Sequence, residues 1–243
     1  MKTDDAYSEG DFDLMKRPIR RGVDTSDWID KEVGIQPQQS FVDLSDGKAG
    51  LAILNRGLRE YEVEQDEDRT LALTLLRGVR YPKIAGGADP WADDPAPVKC
   101  QCLGSFEFNY AIYPHQGDWK RGDLYQEARR FNVPLRLAQC SQGLRLLEPE
   151  LSFLQISPKT LILSALKLGR SERSLILRVF NPTNQKLLGT ITTANELKRV
   201  RLVNLNEEPV QEVALTDGHS LELEVGRKKI VTLELFMKPL RPG

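Results

Sequence analysis

Two histidines, three cysteines and a large set of carboxylates are the residues with which this chain could do acid–base, nucleophilic or metal chemistry. His115 stands in FEFNYAIYPHQGDW, residues 106–119, with Asp118 three positions on and Glu107 upstream. A histidine near carboxylates can move protons, and two carboxylates about 5 to 10 Å apart can cleave a glycosidic bond. Glu107, Asp118 and Asp123 are candidates for such a pair, although a chain with 35 acidic residues forms pairs readily by chance. His219 lies in TDGHS, which reads as an exposed turn between strands. Cys100 and Cys102, with His115 and Cys140, would be the raw material of a metal site. Their spacing matches no common zinc motif, and small hydrophobes on a strand account for the cysteines. There is no Gly-x-Ser-x-Gly elbow, and AGGADP has neither the glycine spacing of a phosphate loop nor a helical pattern after it. The residues therefore offer candidates for a site's edge but no catalytic constellation.

The elements that must position these residues read as strands. FVDLSD, GLAILNRG, REYEVEQ and TLALTLLRGV are short apolar runs separated by Asp46-Gly47, Asn55-Arg56-Gly57 and an acidic turn. Residues 82–99 hold too many prolines and glycines for a regular element and are expected to form a long loop. Cys100 to Tyr113 reads as one long strand, its period-two alternation sending Phe106, Phe108 and Tyr110 to the core and Glu107 and Asn109 outward. Pro114 is expected to end its ladder. A helix follows over 123–132, with Asp123 as N-cap and Leu124, Ala128 and Phe131 on one face, stopped by Pro134.

From Glu148 onward the stretches ELSFLQIS through KIVTLELFM read as seven or eight strands at fairly even spacing, which suits an immunoglobulin-like sandwich. In the last, Val231, Leu233, Leu235 and Met237 alternate with Thr232, Glu234 and Phe236, as in a strand with one buried face. The expected fold is all-β: a large sandwich followed by a smaller immunoglobulin-like one, with one short helix between. The boundaries expected are an irregular lead-in over 1–38, a first β-sandwich region over 39–146 and a C-terminal sandwich over 147–243.

At 243 residues, with 40% hydrophobic and 28% charged residues, the composition is that of a folded globular chain. The 34 basic residues nearly cancel the 35 acidic ones, which removes the positive field expected of a nucleic-acid binder. No apolar run approaches the roughly 18 residues that span a bilayer, and MKTDDAYSEGDFDL lacks a secretory core. An odd number of cysteines makes no disulfide framework. The expectation is a cytoplasmic chain with neither nucleic-acid nor membrane partners.

Taken in order, GLAILNRGLREYEV, TLALTLLRGV, FEFNYAIYPHQGDW and the helix leading into FNVPL resemble the C-terminal β region of family-38 glycoside hydrolases, the retaining α-mannosidases and mannosylglycerate-hydrolase-like enzymes. RLLEPELSFLQIS, SLILRVFNPTNQ and VRLVNLNEEPV resemble their terminal β-sandwich, so the similarity covers residues 35–243. The resemblance implies that a nucleophilic aspartate and a zinc site, including a His-x-Asp pair, lie in an upstream α/β barrel, followed by a helical bundle. None of the barrel's motifs lies in these residues. By resemblance the whole enzyme hydrolyses α-mannosides with zinc, this region holds no cofactor, and its partners are the upstream barrel and helical domains and a carbohydrate. Asn55, Arg56, His115 and Asp118 are the candidates for the edge of the substrate site; a turn or solvated role accounts for each of them equally well. The alternative is a free-standing carbohydrate-binding module that stacks sugars on Trp91, Trp119, Tyr110 and Tyr113, or a purely structural module.

Overall fold

The computed structural model describes residues 3–19, 27, 34–78, 101–139, 148–171 and 173–238. The chain divides into two compact units, one of residues 1–10 and 15–134, the other of residues 11–14 and 135–243. The long loop expected over 82–99 lies outside the described residues, as do Trp91, Cys100 and Cys140.

In the first unit, β1 (Asp5–Gly10), β2 (Asp13–Pro18), β4 (Phe41–Ser45), β5 (Ala49–Asn55) and β8 (Tyr110–Gln116) form a sheet in the order β2-β1-β4-β5-β8. A second sheet holds β3 (Gln36–Pro37), β6 (Glu60–Val63) and β7 (Leu71–Leu73), ordered β3-β6-β7. Between them Ala6, Ile19, Val42, Leu44, Tyr61 and Val63 form the core, with Ile53, Leu71 and Leu73 packed against it. The β4–β5 turn is built by Asp46, whose Oδ1 accepts the Lys48 and Ala49 amides at 2.9 and 3.0 Å. These donors hold the Asp46 carboxyl below the usual range. The other face of the large sheet is covered by α1 (Leu124–Asn132), which packs on β5 and β4. Tyr125 meets the Phe41 ring edge-on at 5.1 Å and the Trp119 ring at 5.7 Å.

Several expectations change. Residues 1–38, read as irregular, contain β1, β2 and β3. DAYSEG buries only Ala6 and Ser8, too faint an alternation to stand out. The long strand over 100–113 is replaced by β8, which starts at Tyr110, because Cys102 and Gly104 take φ of 51° and 151° and break the extended run. Pro114 sits inside β8, opposite Leu51, rather than ending it. The hydrogen bonds from the Arg56 amide to the Asn109 carbonyl and from the Gly117 amide to the Lys48 carbonyl fix the ladder's phase. Odd-numbered residues of β8 turn their amides to β5, and Pro114 falls on the outward side, where no donor is needed. The apolar face expected in the core is also largely uncovered, while Glu107 and Asn109 are exposed as expected. Phe106, Tyr110 and Ile112 are exposed, while Ala111, Tyr113 and His115 are partly covered. At the helix, Asp123 takes the N-cap position in a left-handed conformation (φ 55°) without a side-chain cap bond.

Of the seven or eight strands expected, the second unit shows eight among the described residues: β9 (Leu154–Ser157), β10 (Ile162–Leu168), β11 (Ser174–Phe180), β12 (Leu187–Thr193), β13 (Leu197–Val203), β14 (Pro209–Val213), β15 (Ser220–Val225) and β16 (Ile230–Met237). They form sheets ordered β10-β11-β16-β13-β14 and β15-β12-β9. Leu161, Leu177, Ile191, Val200, Leu221, Leu233 and Leu235 are in the core between them. The opposite side of β16 is buried too. Arg178 donates to Thr232 Oγ1 at 3.0 Å, Arg201 pairs with Glu234 at 3.3 Å, and the guanidinium groups of Arg199 and Arg201 lie 4.2 and 4.7 Å from the Phe236 ring centre. Period-two reading finds the apolar face, but arginine stems cover the polar one as well. Phe12, grouped with this unit, meets the Phe180 ring edge-on at 5.8 Å.

Asn181, fully buried after β11, ties the unit together. Its Nδ2 lies 2.7, 3.2 and 3.0 Å from the carbonyls of Gln185, Val225 and Gly226, and its Oδ1 accepts the amide and hydroxyl of Thr183 at 2.9 and 2.7 Å. One side chain thus satisfies backbone groups on both sides of two separate connections. Among the described residues no helix is long and apolar enough to cross a membrane.

Candidate functional site

The four candidate residues occupy opposite ends of one ladder. Asn55 pairs with Tyr110 and Gly50 with His115, so five residues of strand, about 17 Å at the usual rise, separate the two groups. The structure brings Asn55 together with Arg56 and His115 close to Asp118, but it does not bring the four into one place.

At the first end the β5 strand runs into a turn held by α1. Asn55 Oδ1 accepts the Leu58 amide at 2.9 Å, closing the turn, and the side chain is fully buried. Asn132 Nδ2 donates to the Asn55 and Ala128 carbonyls, each at 2.9 Å. Arg56 is exposed, its guanidinium lying 5.1 Å from the Phe131 ring centre and donating to the Phe131 carbonyl. Beside it Asn109 Nδ2 donates to Glu107 Oε1 at 3.4 Å. The result is an exposed polar ledge of Arg56, Glu107 and Asn109 fixed to the last turn of a helix. Sequence reading places Phe131 on the helix's apolar face with no site role, and does not single out Asn132. The only sequence trace of their role is the aromatic and amide that end the helix.

At the second end His115 Nε2 lies 2.9 Å from Asp43 Oδ1, and the two side chains are 2% and 0% exposed. Ser45 donates to the other Asp43 oxygen at 3.0 Å. Burial raises the Asp43 carboxyl above its ordinary range, against the lowering effect of the His115 hydrogen bond. Two glycines seal the imidazole. A Cβ on Gly50 would lie 2.2 Å from His115 Cε1, and one on Gly122 would lie 2.6 Å from Nδ1. The ring also stacks on Tyr113 with centres 6.0 Å apart. Asp118 is exposed, and its Oδ1 accepts the Lys120 and Arg121 amides, both at 3.1 Å, as a turn former. Asp43 was missed because it is 72 residues from His115 in sequence; its one signal is a carboxylate in phase with Phe41 and Ser45 along β4.

This arrangement can order a turn and present polar groups to a ligand, but it has no accessible proton-transfer pair. Among the described residues no group of three or more His, Cys, Asp or Glu is placed to hold a metal ion. His219 is exposed in its turn, with Nδ1 3.1 Å from the Thr193 carbonyl. Trp119 is 8% exposed, flanked by Tyr125 and Lys120, and has no face open for stacking on a sugar.

Two family models match the chain. Residues 1–85 match the glycosyl hydrolases family 38 C-terminal domain, and residues 160–233 match the family 38 C-terminal beta sandwich domain. The first match begins upstream of residue 35, where the sequence resemblance began. A Halalkalibacterium halodurans protein with a provisional mannosylglycerate hydrolase assignment is 29% identical over 93% of this chain and 23% of its own length. The mouse alpha-mannosidase 2C1 is 26% identical over 90% of this chain and 19% of its own. A crystal structure of an alpha-mannosidase from Enterococcus faecalis V583 superposes with a TM-score of 0.76 at 25% identity, covering 97% of this chain and 24% of that one. The chain thus spans about a fifth to a quarter of the length of these relatives.

Proposed function

The chain belongs to the C-terminal β region of family-38 glycoside hydrolases, and from that premise we propose that it is the accessory β region of an α-mannosidase-type enzyme. In this reading hydrolysis is carried out by an upstream barrel that holds the zinc, and these residues support that barrel and shape its groove. The observation that carries the proposal is the contrast between the two ends of the β5–β8 ladder. The His115–Asp43 pair is sealed by Gly50 and Gly122 and acts as a structural fastener. Arg56, Asn109 and Glu107 stand exposed on a ledge braced by α1, as groups that hydrogen-bond a sugar's hydroxyls at the rim of a groove would. Asn55 and Asn132 position that ledge and do not touch substrate.

The test is hydrolysis of an aryl α-mannoside with added zinc. The 243-residue chain alone is expected to release no aryl group, and the product of the whole reading frame is expected to release it. Hydrolysis by the chain alone would overturn the assignment. In the active product, Arg56→Ala is expected to raise KM about threefold to tenfold with kcat little changed, as loss of a binding contact does.

A further inference from the structure

The two sheets of the first unit differ in width. On the side of the five-stranded sheet that faces the three-stranded one, Val42 and Leu44 are 0% and 2% exposed. Farther along the same face Leu51 is 37%, Tyr110 50% and Ile112 66% exposed. The register places Leu51 opposite Pro114 and Ile53 opposite Ile112, so the exposed side chains form one continuous apolar strip on β5 and β8. Among the described residues β8 is also an edge strand. By the ladder phase above, the amides of Tyr110, Ile112 and Gln116 point away from β5, into that open edge. An apolar strip beside amides that have no strand partner among the described residues is a template for another strand.

We propose that this strip and edge receive an apolar β-strand from the part of the family protein that precedes these residues; the inference rests on the accessory role above and names the surface through which it acts. The relatives are four to five times longer than this chain, and a tethered strand is favoured by its high effective concentration. A second copy of the chain fits the edge less well. Antiparallel self-pairing centred on β8 sets Pro114 against Ile112 twice, and each such pair lacks one donor.

The experiment is maleimide labelling of Ile112→Cys, with Cys100, Cys102 and Cys140 changed to Ser. Leu188→Cys, 64% exposed in the second unit, is the reference. In the 243-residue chain both positions are expected to label at similar rates. In the whole reading-frame product the Ile112→Cys rate should fall by about tenfold or more, the mark of a closed interface, with the reference unchanged. Equal labelling in both proteins overturns the proposal, and so does a reading frame with nothing upstream. Slow labelling in the chain alone also overturns it: if independent of concentration, residues 79–100 of the same chain are the occupant; if concentration-dependent, a second copy is. Hydroxyl-radical footprinting of Tyr110 in the unsubstituted proteins gives the same reading should the cysteine variants fail to fold. Aryl α-mannoside hydrolysis is measured in parallel. Protection without hydrolysis keeps this interface and sinks the enzymatic assignment, whereas hydrolysis without protection does the reverse.

Discussion

Among the described residues the second unit closes upon itself and the first does not. In the second, both faces of the central strand β16 are buried, and the polar groups there have partners: Thr232 with Arg178, Glu234 with Arg201, Asn181 with three carbonyls. Arg201 Nε is its one buried side-chain nitrogen left without a partner among the described residues. In the first unit a five-stranded sheet faces three strands, and the buried amide groups of Gln38 and the Asn55 Nδ2 lack partners among the described residues. A buried amide left unpaired costs about 1 to 3 kcal/mol, which a fold accepts where water, a ligand or another chain segment completes the site. The difference separates a module that can stabilise itself from one shaped to be completed.

Breaking the self-sufficient unit should have the largest effect. Asn181→Ala strands several buried backbone groups at once and is expected to cost about 3 kcal/mol, read as a lowered midpoint in urea with the slope unchanged. A loss under about 1 kcal/mol would mean that the two connections are held by packing and not by this amide. Next is the fastener of the first unit. Gly50→Ala pushes a methyl group into the His115 ring and should cost about 2 kcal/mol. His115→Ala in the same chain should recover part of that loss, and additive costs would refute the steric account.

A smaller effect is expected on changing pH, where the buried carboxyls of the first unit act opposite in sign to its own lowered Asp46 and Asp66 and to the lowered carboxyls of the second unit. Asp43 and Glu9 are raised, both chiefly by burial, so the unfolded chain gives up these protons first. Their contribution to stability is complete below the ordinary carboxylate range and is lost as pH rises through their raised values. In the second unit Glu207 is lowered by its hydrogen bond from Lys167 and Asp217 by the His219 amide. Those contributions are present above the ordinary range and lost as pH falls. Asp43→Asn should therefore remove the part of the first unit's response that sets in as pH rises above the ordinary carboxylate range, and leave the second unchanged, as followed by unit-resolved hydrogen exchange. The smallest effect on stability is expected from Arg56→Ala, about 0.5 kcal/mol for an exposed cation–ring contact. A cost above about 2 kcal/mol would make Arg56 a structural residue and remove it from the rim.

How much of this could be read from sequence also divides by unit. Several strands of the second unit, β11, β12 and β16 among them, carry an apolar pattern of their own, and the Val231 to Met237 stripe predicts its core side correctly. In the first unit the alternation of residues 100–113 is real in the sequence but is not used as a strand, because Cys102 and Gly104 turn the chain before the ladder begins. Once β8 starts at Tyr110, parity places His115 on the covered face, but only the β4–β5–β8 register puts it against Asp43. Pairings between distant strands are not written in local pattern. The four candidate residues were each in a plausible turn or strand end; that they lie at opposite ends of one ladder could not be seen without the register.

Pro114 has a consequence beyond the strand that contains it. Because it faces outward, it leaves one rung of the open edge without a donor while the neighbouring rungs at Ile112 and Gln116 keep theirs. An incoming strand that slides by two residues would set a different carbonyl against the blank rung and shift every side chain along the apolar strip. The proline thus works as an alignment mark, a single absent hydrogen that would tell a docking strand where to stop.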